Sequence, residues 1–311
     1  MRRILVTPRS LTASPHPAVE RVRDRGYDVV YCTPGKSPDE AELIRLVPGV
    51  MGWLAGVEPI SEAVISAAHD LRAISRNGVG VDNLPMSALA ARGIVVRTAN
   101  GANAHGVAEL TLGLTLAALR HIPFVDAGIK AGKWPRRIGR EISGRTFGVV
   151  GIGAVGREVA RLATALGARV LAYDPLRPSV GESLREAIQW VDLPTLFAES
   201  EIVSLHCPAP SYGRPMIGAD QLATFRRGAV LVNTARAALV DEVSLLAALE
   251  SGQVDVYATD VFAQEPPQNL SLAGHERVIA VSHSGGFTTE SVERATTAAV
   301  ANLLEALESP S

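Results

Sequence analysis

Three charged side chains stand where apolar runs end. Arg236 follows AVLVNTA, Glu265 follows VYATDVFAQ and His283 follows RVIAVS. An arginine cannot shed its charge inside a protein, so placing it there calls for an anion. Its planar fork suits a carboxylate. Histidine can take or give a proton near neutral pH, and a carboxylate behind it fixes its orientation and favours its protonated form. Together the three types fit the oxidation of a hydroxyl to a carbonyl, or the reverse. The base takes the O–H proton while hydride leaves the carbon, and the arginine holds a neighbouring carboxylate. Residue types alone leave other readings open. A strand-end arginine often makes a surface ion pair, a histidine near glycine often caps a turn, and a glutamate before Pro-Pro often lies in a solvated loop.

A second chemical signal lies in TFGVVGIGAVGREVARLATALGARVLAYDP, residues 146–175. Gly151, Gly153 and Gly156 form the G-x-G-x-x-G pattern. An apolar strand at 146–150 should precede it, and Val155, Val159, Leu162 and Leu166 make a helical stripe after it. A second strand, RVLAY, ends at Asp174, near the place where an acid should meet the ribose diol of a dinucleotide. Gly151 permits the tight turn, Gly153 lets backbone approach a pyrophosphate, and Gly156 lets helix lie close to strand. The helix N-terminus then faces the anion. Asp174 would repel a 2′-phosphate and so favours NAD over NADP; against this, Arg177 nearby could accept that phosphate.

These residues need a scaffold, and the rest of the chain supplies its pattern. Short β-rich runs (RRILVTP, YDVVYC, GVMGWLAG, LRAISRNG) alternate with helical stretches, which implies parallel sheets with crossover helices. A long helix is expected at about 103–119, with Asn103 as its cap. The stretch 121–144 reads as irregular, and a second alternating series starts at 146. The fold class is therefore α/β with two doubly wound domains. The boundary falls near 98–104, and a last helix at roughly 287–308, after the glycine pair Gly285–Gly286, would return to the first domain. The expected division is residues 1–99 with 286–311 against 100–285.

Composition sets outer bounds. The 311 residues favour two domains over one core. A net charge of −2 offers no basic surface for nucleic acid or anionic lipid. Cys32 and Cys207, two cysteines in all, are too few for a disulfide framework or a cysteine zinc site, and no metal is expected. MRRILVTPRS lacks a signal-peptide core, and the apolar stretch 107–119 contains Glu109 and is too short to span a bilayer. A cytoplasmic protein is the expectation.

With these residues in view, the chain resembles the D-isomer-specific 2-hydroxyacid dehydrogenases, and within them the D-3-phosphoglycerate dehydrogenase branch. SRNGVGVDNLP (75–85), GANAHGVAELTLGLTLAALRHIP (101–123), GKWPRRIGREISGRTFGVVGIGAVGREVA (132–160), NTARAALVDE (233–242), ATDVFAQEPP (258–267) and SHSGGFTTES (282–291) resemble the family's motifs, in order. The resemblance covers roughly residues 50–300. It implies a flavodoxin-like substrate domain beside a Rossmann NAD-binding domain, and a catalytic trio of Arg236, Glu265 and His283. It implies NAD contacts at Ala154 and Val155 of the loop, at Asp174, at His206 and Cys207, at Thr234 and Ala235, and at Asp260. It implies that backbone amides of Asn77, Gly78, Val79 and Gly80 face the substrate carboxylate, with Arg76 as a further anion contact. It also implies a homodimer built through the NAD-binding domain, with the 103–119 helix and the 121–144 arm at the interface.

The sequence departs from the family pattern in places. Ala237 stands where a glycine usually follows the arginine, and Ser282 where a proline usually precedes the histidine. Neither removes a catalytic group. In GWLAGVEP (52–59), Ala55–Gly56 replace an Arg-Ser pair that helps hold a phosphate, and no room remains for a C-terminal serine-sensing domain. A phosphorylated substrate is thereby weakened while the enzyme class stands. Three readings follow: an NAD-dependent D-2-hydroxyacid dehydrogenase, with 3-phosphoglycerate the leading named substrate; a glyoxylate, hydroxypyruvate or other small 2-keto-acid reductase; and a dinucleotide-sensing regulatory protein without turnover, against which the intact trio speaks.

Overall fold

The structure, a computed structural model, describes residues 2–14, 16–210 and 213–308. Met1 and residues 309–311, at the ends of the expected domain ranges, lie outside the described residues. The chain forms two compact units, Met1–Asn103 with Thr289–Ser311, and Ala104–Thr288.

In the first unit the strands are β1 (Arg3–Val6), β2 (Asp28–Tyr31), β3 (Val50–Ala55), β4 (Ala73–Arg76) and β5 (Val95–Thr98). The helices are α1 (Arg9–Ala13), α2 (Pro17–Asp24), α3 (Glu40–Leu46), α4 (Glu62–Ala67) and α5 (Met86–Ala91). The sheet is parallel, in the order β2-β1-β3-β4-β5. That is the flavodoxin-like order. Side chains alternate across a strand, so both faces of the sheet must be covered. Ile4 and Val6 pack with Val19, Val22 and Leu303 on one face. Leu5, Trp53 and Ile74 pack with Leu43, Val64 and Leu89 on the other. The C-terminal helix, Thr289–Glu308, supplies Leu303 and Leu307 and lies tight on β3. A Cβ at Gly52 would stand 2.8 Å from Leu307 and 3.3 Å from Leu303, so any side chain there would have to displace these leucine ends.

The second unit opens with α6 (Ala104–Leu119) and α7 (Ile122–Lys130). The segment 121–144 is thus not irregular throughout. Pro123 sits in the first turn of α7, where a missing N–H costs little, and His121 at φ 52° turns the chain out of α6. Then follow β6 (Thr146–Val150), α8 (Ala154–Ala165), β7 (Arg169–Tyr173), α9 (Glu182–Ala187), β8 (Ile188–Trp190), α10 (Leu193–Glu199), β9 (Ile202–Leu205), α11 (Ala219–Thr224), β10 (Ala229–Asn233), α12 (Glu242–Glu250), β11 (Val254–Thr259) and β12 (Val278–Ala280). The seven strands are parallel and ordered β12-β11-β10-β9-β6-β7-β8. The order reverses beside β6, as in a Rossmann sheet, and ligands bind at such a switch point outside the carboxyl ends of the strands. Phe147, Val149, Val230 and Val232 pack under α6 and α8, while Leu171, Val203, Leu205 and Leu231 pack against Phe197, Leu222 and Leu245. Among the described residues no single helix is long and apolar enough to cross a membrane. The bent pair α6–α7 passes by length and composition only, and α6 is largely buried.

Candidate active site

The candidate residues of the second unit follow the carboxyl ends of its strands. Gly151 follows β6, Asp174 follows β7, His206 and Cys207 follow β9, Thr234–Arg236 follow β10, Asp260 and Glu265 follow β11, and His283 follows β12. Since the strands are parallel, their ends share one edge of the sheet.

The glycine loop is shaped by contacts that leave no room for side chains at two of its positions. Gly151 has φ 93°, and a Cβ there would lie 2.8 Å from the carbonyl of His206. A Cβ at Gly156 would lie 1.9 Å from the Gly151 oxygen. Gly153 is different. It caps α8, and a Cβ there would meet nothing within 4 Å. Open space above a helix N-terminus fits the pyrophosphate of a dinucleotide. Ala154 and Val155 form the first turn below it. Asp174 holds this loop: its Oδ2 accepts the Ile152 amide at 2.9 Å and its Oδ1 accepts the Leu176 amide at 2.9 Å. Each carboxylate oxygen keeps a further acceptor position for a ribose hydroxyl. Arg157, unnoticed in the sequence, donates from Nε to the Ile152 oxygen at 3.1 Å. Arg177 is exposed at φ 40°.

At the end of β9, His206 Nε2 lies 2.6 Å from Ser204 Oγ. Its Nδ1 is buried without a hydrogen-bond partner among the described residues. Burial pushes the imidazole pKa down to about 3, so the ring is neutral. Burial, with Asp174 adding its negative charge, pushes the Cys207 thiol up to about 11. It is a thiol here and not a nucleophilic thiolate.

Glu265 and His283, 18 positions apart in the chain, meet. His283 Nδ1 lies 2.8 Å from Oε2 and 3.0 Å from Oε1 of Glu265. The carboxylate also accepts the Phe262 amide at 3.1 Å, which fixes its rotamer. A carboxylate at Nδ1 calls for the proton on that nitrogen and leaves Nε2 as the acceptor in the neutral ring. His283 is held at φ 51°, a left-handed conformation that is uncommon outside glycine. Asp260 explains how it is held. Its buried carboxylate accepts the amides of Ser284 at 2.6 Å and Gly285 at 2.8 Å, the two residues after the histidine.

Arg236 is half-buried and extended, and its Nη1 donates to the Ala235 oxygen at 2.7 Å. The turn that carries it is built on Asn233, a fully buried residue that sequence reasoning passed over. Asn233 Oδ1 accepts the Ala235 amide at 3.0 Å, and Nδ2 donates to the Arg236 oxygen at 2.9 Å. The Asn233 carbonyl in turn accepts the Asp260 amide at 3.1 Å. A continuous set of hydrogen bonds therefore joins the Arg236 turn to the His283 turn through Asn233 and Asp260. Thr234 Oγ1 lies 3.0 Å from Thr111 Oγ1 of α6. The only sign of Asn233 in the sequence is its place as the last residue of an apolar run.

In the first unit, Asn77–Gly80 follow β4. The Asn77 amide is committed to the Ala55 oxygen at 2.9 Å, while those of Gly78, Val79 and Gly80 have no backbone partner among the described residues. Arg76 is the last residue of β4. It is buried, with Nε donating to the Gly80 oxygen at 2.8 Å and Nη1 to the Ala55 oxygen at 3.3 Å.

The family model "D-isomer specific 2-hydroxyacid dehydrogenase, NAD binding domain" matches residues 112–285. A hydroxypyruvate reductase of Thermotoga maritima is 36% identical over 262 residues, 82% of this chain and 84% of that protein. The chain belongs to the D-isomer specific 2-hydroxyacid dehydrogenases. These are NAD-dependent oxidoreductases acting on CH–OH groups, and the glycine loop described above lies in the family's NAD-binding domain. A D-3-phosphoglycerate dehydrogenase of Archaeoglobus fulgidus is 39% identical over 277 residues, 88% of this chain but 52% of that protein. The chain thus spans about half the length of that relative. Among solved structures, a glyoxylate reductase from Paecilomyes thermophila superposes with a TM-score of 0.86 at 28% identity, covering 99% of this chain and 95% of that one.

Proposed function

We propose that this dehydrogenase interconverts a D-2-hydroxy acid and the corresponding 2-keto acid, with Arg236, Glu265 and His283 as its catalytic residues. The observation that carries this reading is the Glu265–His283 pair, 2.8 Å apart at the sheet edge that also bears the glycine loop. When bound, NADH supplies the hydride for C2 of the keto acid. His283 Nε2 gives the proton to the carbonyl oxygen, and Glu265 keeps the ring oriented and stabilises its charged form. Arg236 grips the substrate carboxylate and polarises the adjacent oxygen. Gly153, Ala154 and Val155 receive the pyrophosphate. Asp174 receives the ribose hydroxyls, and His206, Cys207, Thr234, Ala235 and Asp260 line the remainder of the cofactor's path. The amides of Gly78, Val79 and Gly80 meet the substrate from the first unit, which acts as the substrate domain.

The working protein is a homodimer joined through the NAD-binding unit. The support is apolar surface on the arm: Ile122 and Ile129 of α7 are exposed, as are Trp134 at 82% and Ile138 at 97%. So many large exposed apolar side chains on one segment support an interaction site. Its place of action is the cytoplasm, in keeping with two free cysteines.

Steady-state kinetics with NADH and a panel of glyoxylate, hydroxypyruvate, pyruvate and 3-phosphohydroxypyruvate tests the reading. Saturable turnover with one of them is expected, together with its loss in His283→Ala. A protein that binds NADH tightly and reduces none of the panel would favour the dinucleotide-sensing alternative.

A further inference from the structure

Glu58 plays no part in the chemistry above, yet it is a buried carboxylate at the edge of the first unit's sheet, 1% exposed. It belongs to GWLAGVEP, whose departure from the family pattern the proposed mechanism leaves unexplained. Burying an ionisable group is costly, so its surroundings have to account for it. They are unusually connected. Thr7, just after β1, donates its hydroxyl to Glu58 Oε1, and the Gly56 amide, just after β3, donates to the same oxygen at 3.0 Å. Thr7 Oγ1 accepts the indole N–H of fully buried Trp53 at 2.9 Å. The Glu58 carbonyl accepts Asn83 Nδ2 at 2.6 Å, and the Asn83 carbonyl accepts the Ile60 amide at 3.0 Å. Arg76 shares this neighbourhood. Its charge favours the ionised carboxyl, though burial outweighs it and raises the Glu58 pKa overall.

The carboxyl also fills space. A Cβ at Gly56 would come within 2.6 Å of Glu58 Oε2 and 3.0 Å of the Pro8 Cα. No side chain can stand at residue 56 while Glu58 is in place. The turn after β3 is therefore closed over its own acid. Through Asn83, and through Arg76 bonded to the Ala55 and Gly80 oxygens, that closed turn reaches both ends of the 77–83 segment.

We propose that Glu58 is a positioning residue: it locks the turn after β3 to the 77–83 segment and so sets where the amides of Gly78, Val79 and Gly80 stand for the substrate carboxylate. The last clause rests on the reading of this segment as substrate-facing. The two hydrogen bonds to the Glu58 side chain both end on Oε1. Glutamine keeps an oxygen there, and alanine does not.

The test uses Glu58→Ala, Glu58→Gln and, as a gentler cut in the same linkage, Asn83→Ala, all in the full chain. Hydrogen–deuterium exchange reads the positioning without reference to activity. In Glu58→Ala, and in Asn83→Ala should the first fold poorly, the amides of 77–84 should exchange roughly tenfold faster while those of β6 and α8 are unchanged, and Glu58→Gln should stay close to wild type. Unaltered exchange at 77–84 in both loosening variants would overturn the proposal. In kinetics the loosening variants should raise KM for the 2-keto acid by about tenfold with kcat and the NADH Kd little changed, again rescued by Glu58→Gln. A segment that loosens without any change in keto-acid KM would refute the substrate-facing reading of 77–80, and with it the functional half of the proposal, while the lock itself stood.

Discussion

Glu265 and His283 meet across 18 positions of sequence, with a Glu265 carboxylate oxygen 2.8 Å from Nδ1 of the histidine. Both side chains remain substantially exposed, 38% and 53%, so the pair faces outward from the unit that builds it. An exposed pair of this kind adds little to stability. Its consequence is orientation of the ring. Replacing His283 with alanine should therefore lower kcat by about 10²–10⁴-fold while the melting temperature and NADH affinity hold. Glu265→Gln should cost less than His283→Ala. Turnover and calorimetry on the two variants check the order; near wild-type turnover in His283→Ala would remove the histidine from the proton path.

Arg236→Lys keeps a positive charge and loses the fork. A charge-assisted hydrogen bond is worth roughly 1.5–3 kcal/mol, so kcat/KM should fall about ten- to a hundredfold, in part through kcat. The opposite pattern, an unstable protein with normal substrate kinetics, would make the arginine a loop brace whose function is its bond to the Ala235 oxygen.

The glycine loop separates two kinds of glycine. Gly156→Ala forces a Cβ against the Gly151 oxygen, whereas Gly153→Ala puts a methyl into open space. The first should lower the melting temperature by several degrees, in line with overpacking costs of about 1–3 kcal/mol. The second should leave stability alone and weaken NADH binding at least about tenfold by crowding the pyrophosphate. Thermal melts and fluorescence titration of NADH distinguish them. Normal NADH affinity in Gly153→Ala would put the pyrophosphate elsewhere.

Asp174 should make NADH the preferred cofactor over NADPH by roughly a hundredfold or more in kcat/KM, since a 2′-phosphate beside a carboxylate is repelled. Comparable rates with both cofactors would show that Arg177 reaches the phosphate and overrides the acid.

His206 carries a pH prediction. Burial depresses its folded pKa to about 3, whereas the unfolded chain holds an ordinary histidine near 6.5. Above 6.5 both states are neutral and the group has no effect on stability. As pH falls below 6.5 the unfolded state gains the proton first, so stability is lost progressively down to about 3. Between pH 7 and pH 5 this amounts to about 2 kcal/mol. A His206→Gln variant should therefore lose less stability than wild type over that interval in urea melts. Parallel losses would mean that the buried ring is protonated more readily than its surroundings imply.

Much of this protein could be read from its sequence because the relevant physics is local. Periodicity of two and of 3.6 makes strands and helices alternate, and that alternation implies parallel sheets with crossover helices. The glycine spacing at 151–156 is local too, since each glycine answers a steric demand made within one βα turn. The residue types of Arg236, Glu265 and His283 suit a proton carrier and an anion clamp, but types alone leave other readings open. Tertiary structure decided the matters that depend on distant segments. No spacing rule brings Glu265 to His283, or commits the Asp260 carboxylate to the two amides after that histidine. Arg76 looked like an anion contact because its type and neighbours allow it. Its burial and its bonds to the Ala55 and Gly80 oxygens depend on segments that only the fold brings together. Asn233 and Glu58 each close an apolar run, which is no distinctive pattern; Asn233 shapes its own turn through Ala235 and Arg236, but its burial, and the bond from Thr7 to Glu58, depend on strands that only the folded sheets bring together.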